Sequence, residues 1–245
     1  MRNMTAGVFM MVGILLGMSL APGCDKVQAK KETLSDSQKW ALATAAIPKK
    51  ANGMELDIMG GGASDSDYVS ALREMLKNDW EVADRASALG AIKALREEGH
   101  RQEFDLMLKD ISAMDGAGLA RLLADYAQDP ELQKRIRLVH AQKDAVDKKS
   151  ITAWDYCRLI YLAECSYRSG YITEQEAWQE IMPAAEIIQS TFSSWREMGD
   201  NYLLGREFWS GAREPRMVVA NRFLLTDPKG PWATLAWKLP LRKQK

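Results

Sequence analysis

The sequence predicts an all-α domain, an irregular multi-helix bundle formed by two helical halves packed together. Three observations carry that expectation. Apolar residues recur at three-to-four spacing through most of the chain, the mark of helices with one buried stripe. Thr173 with Glu176, and Ser194 with Glu197, have the spacing of capping boxes at helix starts. No alternating run of strand length occurs, and no repeat of fixed period.

At 245 residues the chain has room for one substantial domain. Hydrophobic residues make up 47% and charged residues 27%, so a true core is affordable. Lysine plus arginine equals aspartate plus glutamate at 33 each. That balance gives no support to nucleic-acid binding, which needs clustered excess basic charge. Eight tryptophans and thirteen methionines against five phenylalanines point to a core of large, adaptable side chains.

The N-terminus reads as an export signal. Arg2 precedes an apolar run over residues 6–21, followed by Pro22, Gly23 and Cys24. Sixteen residues make a helix of about 24 Å, short of the roughly 30 Å hydrocarbon core, which favours a processed signal over a permanent span. Leu20-Ala21-Pro22-Gly23-Cys24 resembles a bacterial lipobox, with the leucine one position early and Pro22 intruding. The expectation is a signal over residues 1–23, lipidation of Cys24, and a polar tether over 24–37. Asp25 next to the cysteine resembles a signal for retention at the inner membrane. The rival is cleavage after Val27-Gln28-Ala29, giving a soluble periplasmic protein. Cys157 and Cys165 lie eight residues apart, about 12 Å on one helix, too far for a disulfide of about 7 Å between Cα atoms.

One helical domain is expected over residues 38–240, in halves at about 38–130 and 150–240, before a basic tail at 241–245. In the first half, residues 40–47 have helical composition, with Pro48 as the stop. Gly60-Gly61-Gly62 reads as a flexible loop, and no G-K-[ST] phosphate cradle follows it. Val82, Ala86, Leu89 and Ile92 share one helical face and Gly99 sits where a C-terminal cap belongs. Phe104, Met107, Leu108 and Ile111 repeat the pattern, as do Leu119, Leu122, Leu123 and Tyr126. Residues 130–149 are charged and read as an exposed helix or flexible connector. In the second half, residues 151–169 are apolar around the whole circumference, as in a helix buried on all sides. Pro183 is expected to kink or split the next helix. Trp195, Met198, Tyr202, Gly205 and Trp209 line one face of another, with Gly205 allowing close approach of a neighbour. A further helix is expected over 217–225, then turns at Asp227-Pro228 and Pro231-Trp232.

Several stretches carry a resemblance together: Trp40-Ala41-Leu42-Ala43, Gly99-His100-Arg101 with Phe104, Trp154-Asp155 with Arg158, Gly170-Tyr171-Ile172, and Asp227-Pro228 with Pro231-Trp232 and Trp237. Most specific is residues 193–209, with Trp195, Arg196, Asn201, Gly205, Arg206 and Trp209 in step. The chain resembles the bacterial family catalogued as domain of unknown function 1266, over residues 40–240. That resemblance implies an α-helical domain and brings no reaction, cofactor or ligand.

The candidate polar cluster is His100, Arg101, Asp155, Arg158, Arg196 and Arg206. Asp155 and Arg158 stand one turn apart on an apolar helix, as a structural salt bridge or as a pocket where Arg158 or Arg206 takes an anionic group in a fork. Gly99-His100 reads first as a helix end, the imidazole facing the last carbonyls. The two histidines and two internal cysteines lack short ligand spacing, so no metal site is expected. With G-x-S-x-G absent, Ser193 and Ser194 read as caps. No catalytic residue and no cofactor are assigned. The leading reading is a non-enzymatic, membrane-tethered envelope protein whose helical domain binds a protein partner or small ligand. The alternative is an enzyme, such as a hydrolase, built on His100, Asp155, Arg158 and Arg206.

Overall fold

A computed structural model describes residues 34–62, 65–146 and 149–241. The proposed signal and Cys24 lie outside the described residues. The described residues form twelve α-helices and no strand: α1 Asp36–Thr44, α2 Ala46–Ala51, α3 Ser66–Trp80, α4 Arg85–Glu97, α5 Arg101–Ser112, α6 Gly116–Asp125, α7 Pro130–Gln142, α8 Thr152–Arg168, α9 Glu174–Thr191, α10 Trp195–Ser210, α11 Pro215–Thr226 and α12 Pro231–Thr234. Among the described residues, no helix is long and apolar enough to cross a membrane.

The starts are written in short polar side chains. Ser35, Asp65, Asp84, Asp115, Asp129, Thr173 and Ser194 each accept a first-turn backbone N–H, the bond that replaces a missing intrahelical partner. Thr173 and Glu176 form the full reciprocal box. Ser194 caps α10, but Glu197 reaches to the Ser193 N–H (2.8 Å) and Lys149 Nζ (2.5 Å) instead, so only half of the second box exists.

α8 is the hub. It packs against α9, α10, α4, α1, α3 and α2, and apart from Arg158 and its last residues nearly every side chain is buried. One continuous core cluster joins both halves through it. Cys157 and Cys165 are buried free thiols within it. A second centre is aromatic: Trp195 stacks on Trp232 at 5.6 Å and meets Trp40 and Trp237 at 4.8 and 4.9 Å. Their indole N–H groups tie distant segments together, Trp232 to the Ala43 carbonyl, Trp195 to Leu235 and Trp237 to Phe192.

Two expectations need correction, at Pro48 and at Pro231-Trp232, and two are narrowed. Pro48 does not end a helix; the break falls at Ala45, and Pro48 sits in the first turn of α2, where its missing N–H costs nothing. Of the kink or split expected at Pro183, the split does not occur, since α9 runs through it as one helix. Pro231-Trp232 opens the short helix α12. Of the exposed helix or flexible connector expected over 130–149, a helix forms as α7, which buries Ile136 and Val139 and packs on α5 and α10.

Candidate functional site

Asp155 stands in the first turn of α8 with no exposed surface. Its Oδ1 accepts the His100 backbone N–H at 3.0 Å, and its Oδ2 accepts the Arg101 backbone N–H at 3.0 Å and Arg101 Nη1 at 3.2 Å. The N-cap residue of α5, His100, makes no cap bond with its own side chain. Asp155 therefore caps α5 from another helix, supplying negative charge where the helix dipole is positive. Gly99 makes this possible. Its φ is +61°, and a Cβ there would overlap the Asp155 carboxylate. Burial pushes the Asp155 carboxyl up, but the His100 and Arg101 contacts outweigh it and hold it below the ordinary carboxylate range.

The expected Asp155–Arg158 bridge is loose, at 3.9 Å. Arg158 instead lies over Trp154 at 4.4 Å and Trp80 at 5.0 Å, and its Nη1 meets His100 Nδ1 at 3.0 Å. A guanidinium only donates, so Nδ1 must hold its lone pair toward Arg158. The His100 imidazole thus faces α8, not the carbonyls closing α4. Burial pushes Arg158 down to about 10, against the opposing pull of Asp155, which leaves it cationic at neutral pH.

Arg206 extends the same seam on α10. It stacks on Trp209 at 4.6 Å and pairs with Glu214 at 3.3 Å, while Trp209 lies 6.0 Å from Trp154. Its Nε and Nη1 are buried with no hydrogen-bond partner among the described residues. His100, Arg101, Asp155 and Arg158 are thus brought together and Arg206 adjoins them. Arg196 is not part of this group.

A second buried ion pair was not anticipated. Lys49 Nζ reaches Glu164 Oε2 at 2.7 Å, both side chains being essentially unexposed. Lys49 also donates to the Leu56 and Ile58 carbonyls, and the Gly60 N–H donates to Glu164. Arg168 holds the Met59 carbonyl and Tyr68 the Gly60 carbonyl. The glycine loop is therefore pinned to α8, contrary to its reading as a flexible connector. The signal for this pair was a glutamate on a helix apolar all round, and a lysine following an apolar run.

Arg196 lies on a different face, in a cleft of about 590 Å³ between α7, the segment after it, and α10. Leu138, Val146, Phe192 and Leu204 supply its apolar wall. Lys149 pairs with Glu197 at 2.5 Å and Arg213 with Glu207 at 2.9 Å. Arg196 and Asp200 also line it, and among the described residues neither has an ion-pair partner. No group of three or more His, Cys, Asp or Glu side chains suited to a metal occurs among the described residues.

The chain is similar to the uncharacterized protein YbeR of Escherichia coli (strain K12), 21% identical over 150 residues. The match covers 61% of this chain and 63% of that protein. No solved structure matches. Residues 75–237, which include α8, α10 and the seam of His100, Asp155, Arg158 and Arg206, match the family described as protein of unknown function (DUF1266), and the chain belongs to it.

Proposed function

We propose that this protein is a non-enzymatic module of the cell envelope, tethered to a membrane through a lipidated Cys24, which binds a peptide segment of a protein partner in the α7–α10 cleft. The observation that carries the binding site is the cleft itself. Its volume, about 590 Å³, falls in the range of ligand pockets. It also presents two opposite charges, Arg196 and Asp200, four residues apart on one helix and unspent among the described residues. A peptide carrying an acidic and a basic group at matching spacing would complete both pairs, while Leu204 and Phe192 take an apolar side chain between them.

The polar seam supports binding over catalysis. The Asp155 carboxylate is engaged by the start of α5, and His100 Nδ1 is occupied by Arg158. The Asp155 carboxylate is thereby committed to a structural cap, rather than held ready for proton transfer. The reading is tested by crosslinked capture from membranes, comparing wild type with Arg196→Glu and Asp200→Lys. Both side chains are exposed, so the variants are expected to fold. A partner lost from both variants supports the reading. The same species captured equally from all three overturns it.

A further inference from the structure

α11 buries Met217, Ala220, Asn221 and Leu224 and packs on α2, α10 and α12. Its outward face reads Arg216, Val219, Arg222 and Phe223. Val219 is 64% exposed and Phe223 39% exposed, one turn apart, so two large apolar groups form a single patch. Lys50, from α2, places its ammonium 3.7 Å from the centre of the Phe223 ring. With Ala51, Pro215 and Ala220 these residues line a shallow hollow of about 350 Å³. Two cations, Lys50 and Arg216, border the hollow, and a third, Arg222, is exposed next to Phe223 on the same helix. The nearby carboxylate, Glu214, is engaged by Arg206 at 3.3 Å and Arg216 at 3.4 Å.

We propose that this face is a docking surface for a membrane rich in anionic phospholipid. Apolar side chains bordered by cations fit the boundary between acyl chains and headgroups: Val219 and Phe223 enter the apolar side, and the cations meet the phosphates. The chain before α1 makes that surface reachable. Cys24 lies ten residues before Leu34, a span of about 35 Å when extended, so a tethered domain meets the bilayer at high local concentration. The inference is separate from the α7–α10 cleft, and the patch chemistry does not depend on acylation of Cys24.

The test uses the full-length protein with vesicles of phosphatidylglycerol and phosphatidylethanolamine, or of phosphatidylcholine alone. A photoreactive benzoylphenylalanine replaces Val219, or Leu106, which is exposed on α5 away from these cations. Lipid adducts at position 219 in the anionic vesicles are expected to exceed those at 106, and those in phosphatidylcholine, several-fold. Arg216→Glu with Arg222→Glu is expected to remove that excess. Equal adducts at both positions, or equal adducts in both vesicles, would overturn the proposal. So would adducts at 219 to a second copy of the chain. Flotation of the wild-type protein with phosphatidylcholine vesicles, which lack the charge the patch needs, reads the tether independently. A protein that fails to float there but still gives lipid adducts at 219 in the anionic vesicles separates the two ideas.

Discussion

Asp155 carries its charge into the protein interior, with no exposed surface, and keeps it there by capping α5. Its carboxyl is held below the ordinary range, so the folded state binds that proton less readily than the unfolded chain does. The stability it contributes is complete above the ordinary carboxylate value of about 4 and is lost as pH falls through the lowered folded value. Asp155→Asn is expected to cost about 3 kcal/mol at neutral pH, because an amide presents N–H groups to backbone N–H groups. It is also expected to flatten the acid limb of a denaturation curve measured against pH. A variant as stable as wild type at pH 7 would show that the cap is unimportant. Lys49 and Glu164 give the opposite lesson. Burial pushes the Glu164 carboxyl up, with Lys49 and the Gly60 N–H offsetting only part. Lys49→Met alone is expected to cost about 3–5 kcal/mol, since it strands a buried acid and two carbonyls. Lys49→Met with Glu164→Gln should cost less than the single change, which a urea-melt mutant cycle reads directly. At this scale the sequence marked Asp155 and Arg158 as charges on an apolar helix and missed Lys49 and Glu164. It did not show their partners: Asp155 met the backbone of α5, 54 and 55 positions away, and Lys49 met Glu164 across 115.

The helices were the most legible elements, because periodicity and caps are local. The face predicted for α10, Trp195, Met198, Tyr202 and Gly205, is buried as a stripe, with Trp209 at its edge. The failures are equally physical. A break at Ala45 rather than Pro48, and the burial of Ile136 and Val139 on a charged helix, follow from tertiary packing that local composition does not encode. Gly205 shows where packing overrules propensity. A Cβ there would overlap Trp154 on α8, whereas at Gly90 in α4 it meets nothing. Both are helical, so alanine would favour either helix by about 1 kcal/mol on propensity alone. Gly90→Ala is therefore expected to stabilise by up to that amount. Gly205→Ala is expected to destabilise by about 1–3 kcal/mol, as overpacked cores do. Chemical denaturation of the two variants beside wild type checks the signs; a stabilised Gly205→Ala would mean that α8 and α10 are not in close contact.

Across the whole molecule, the ends of the described chain are fastened together. Trp232 bonds the Ala43 carbonyl, Ser37 bonds the Pro240 carbonyl at 3.2 Å, and Gln189 holds the carbonyls of Trp237 and Leu239. α1 is thus clamped by the final segment, and any force applied through the residues before it reaches the aromatic centre of Trp40, Trp195 and Trp232. Such a clamp suits a domain held by its N-terminus. In our reading, attachment comes from acyl chains on Cys24. One chain gives marginal, reversible binding, and two or more give firm anchoring. The early leucine and Pro22 in Leu20-Ala21-Pro22-Gly23-Cys24 are the feature that a processing peptidase must accept. Cys24→Ser is expected to abolish lipid labelling and leave either uncleaved precursor or soluble protein, with the circular dichroism of the domain unchanged. A wild-type protein that is soluble and begins at Lys30 would instead establish cleavage after Ala29. The α11 face would then be the domain's own route to a membrane surface.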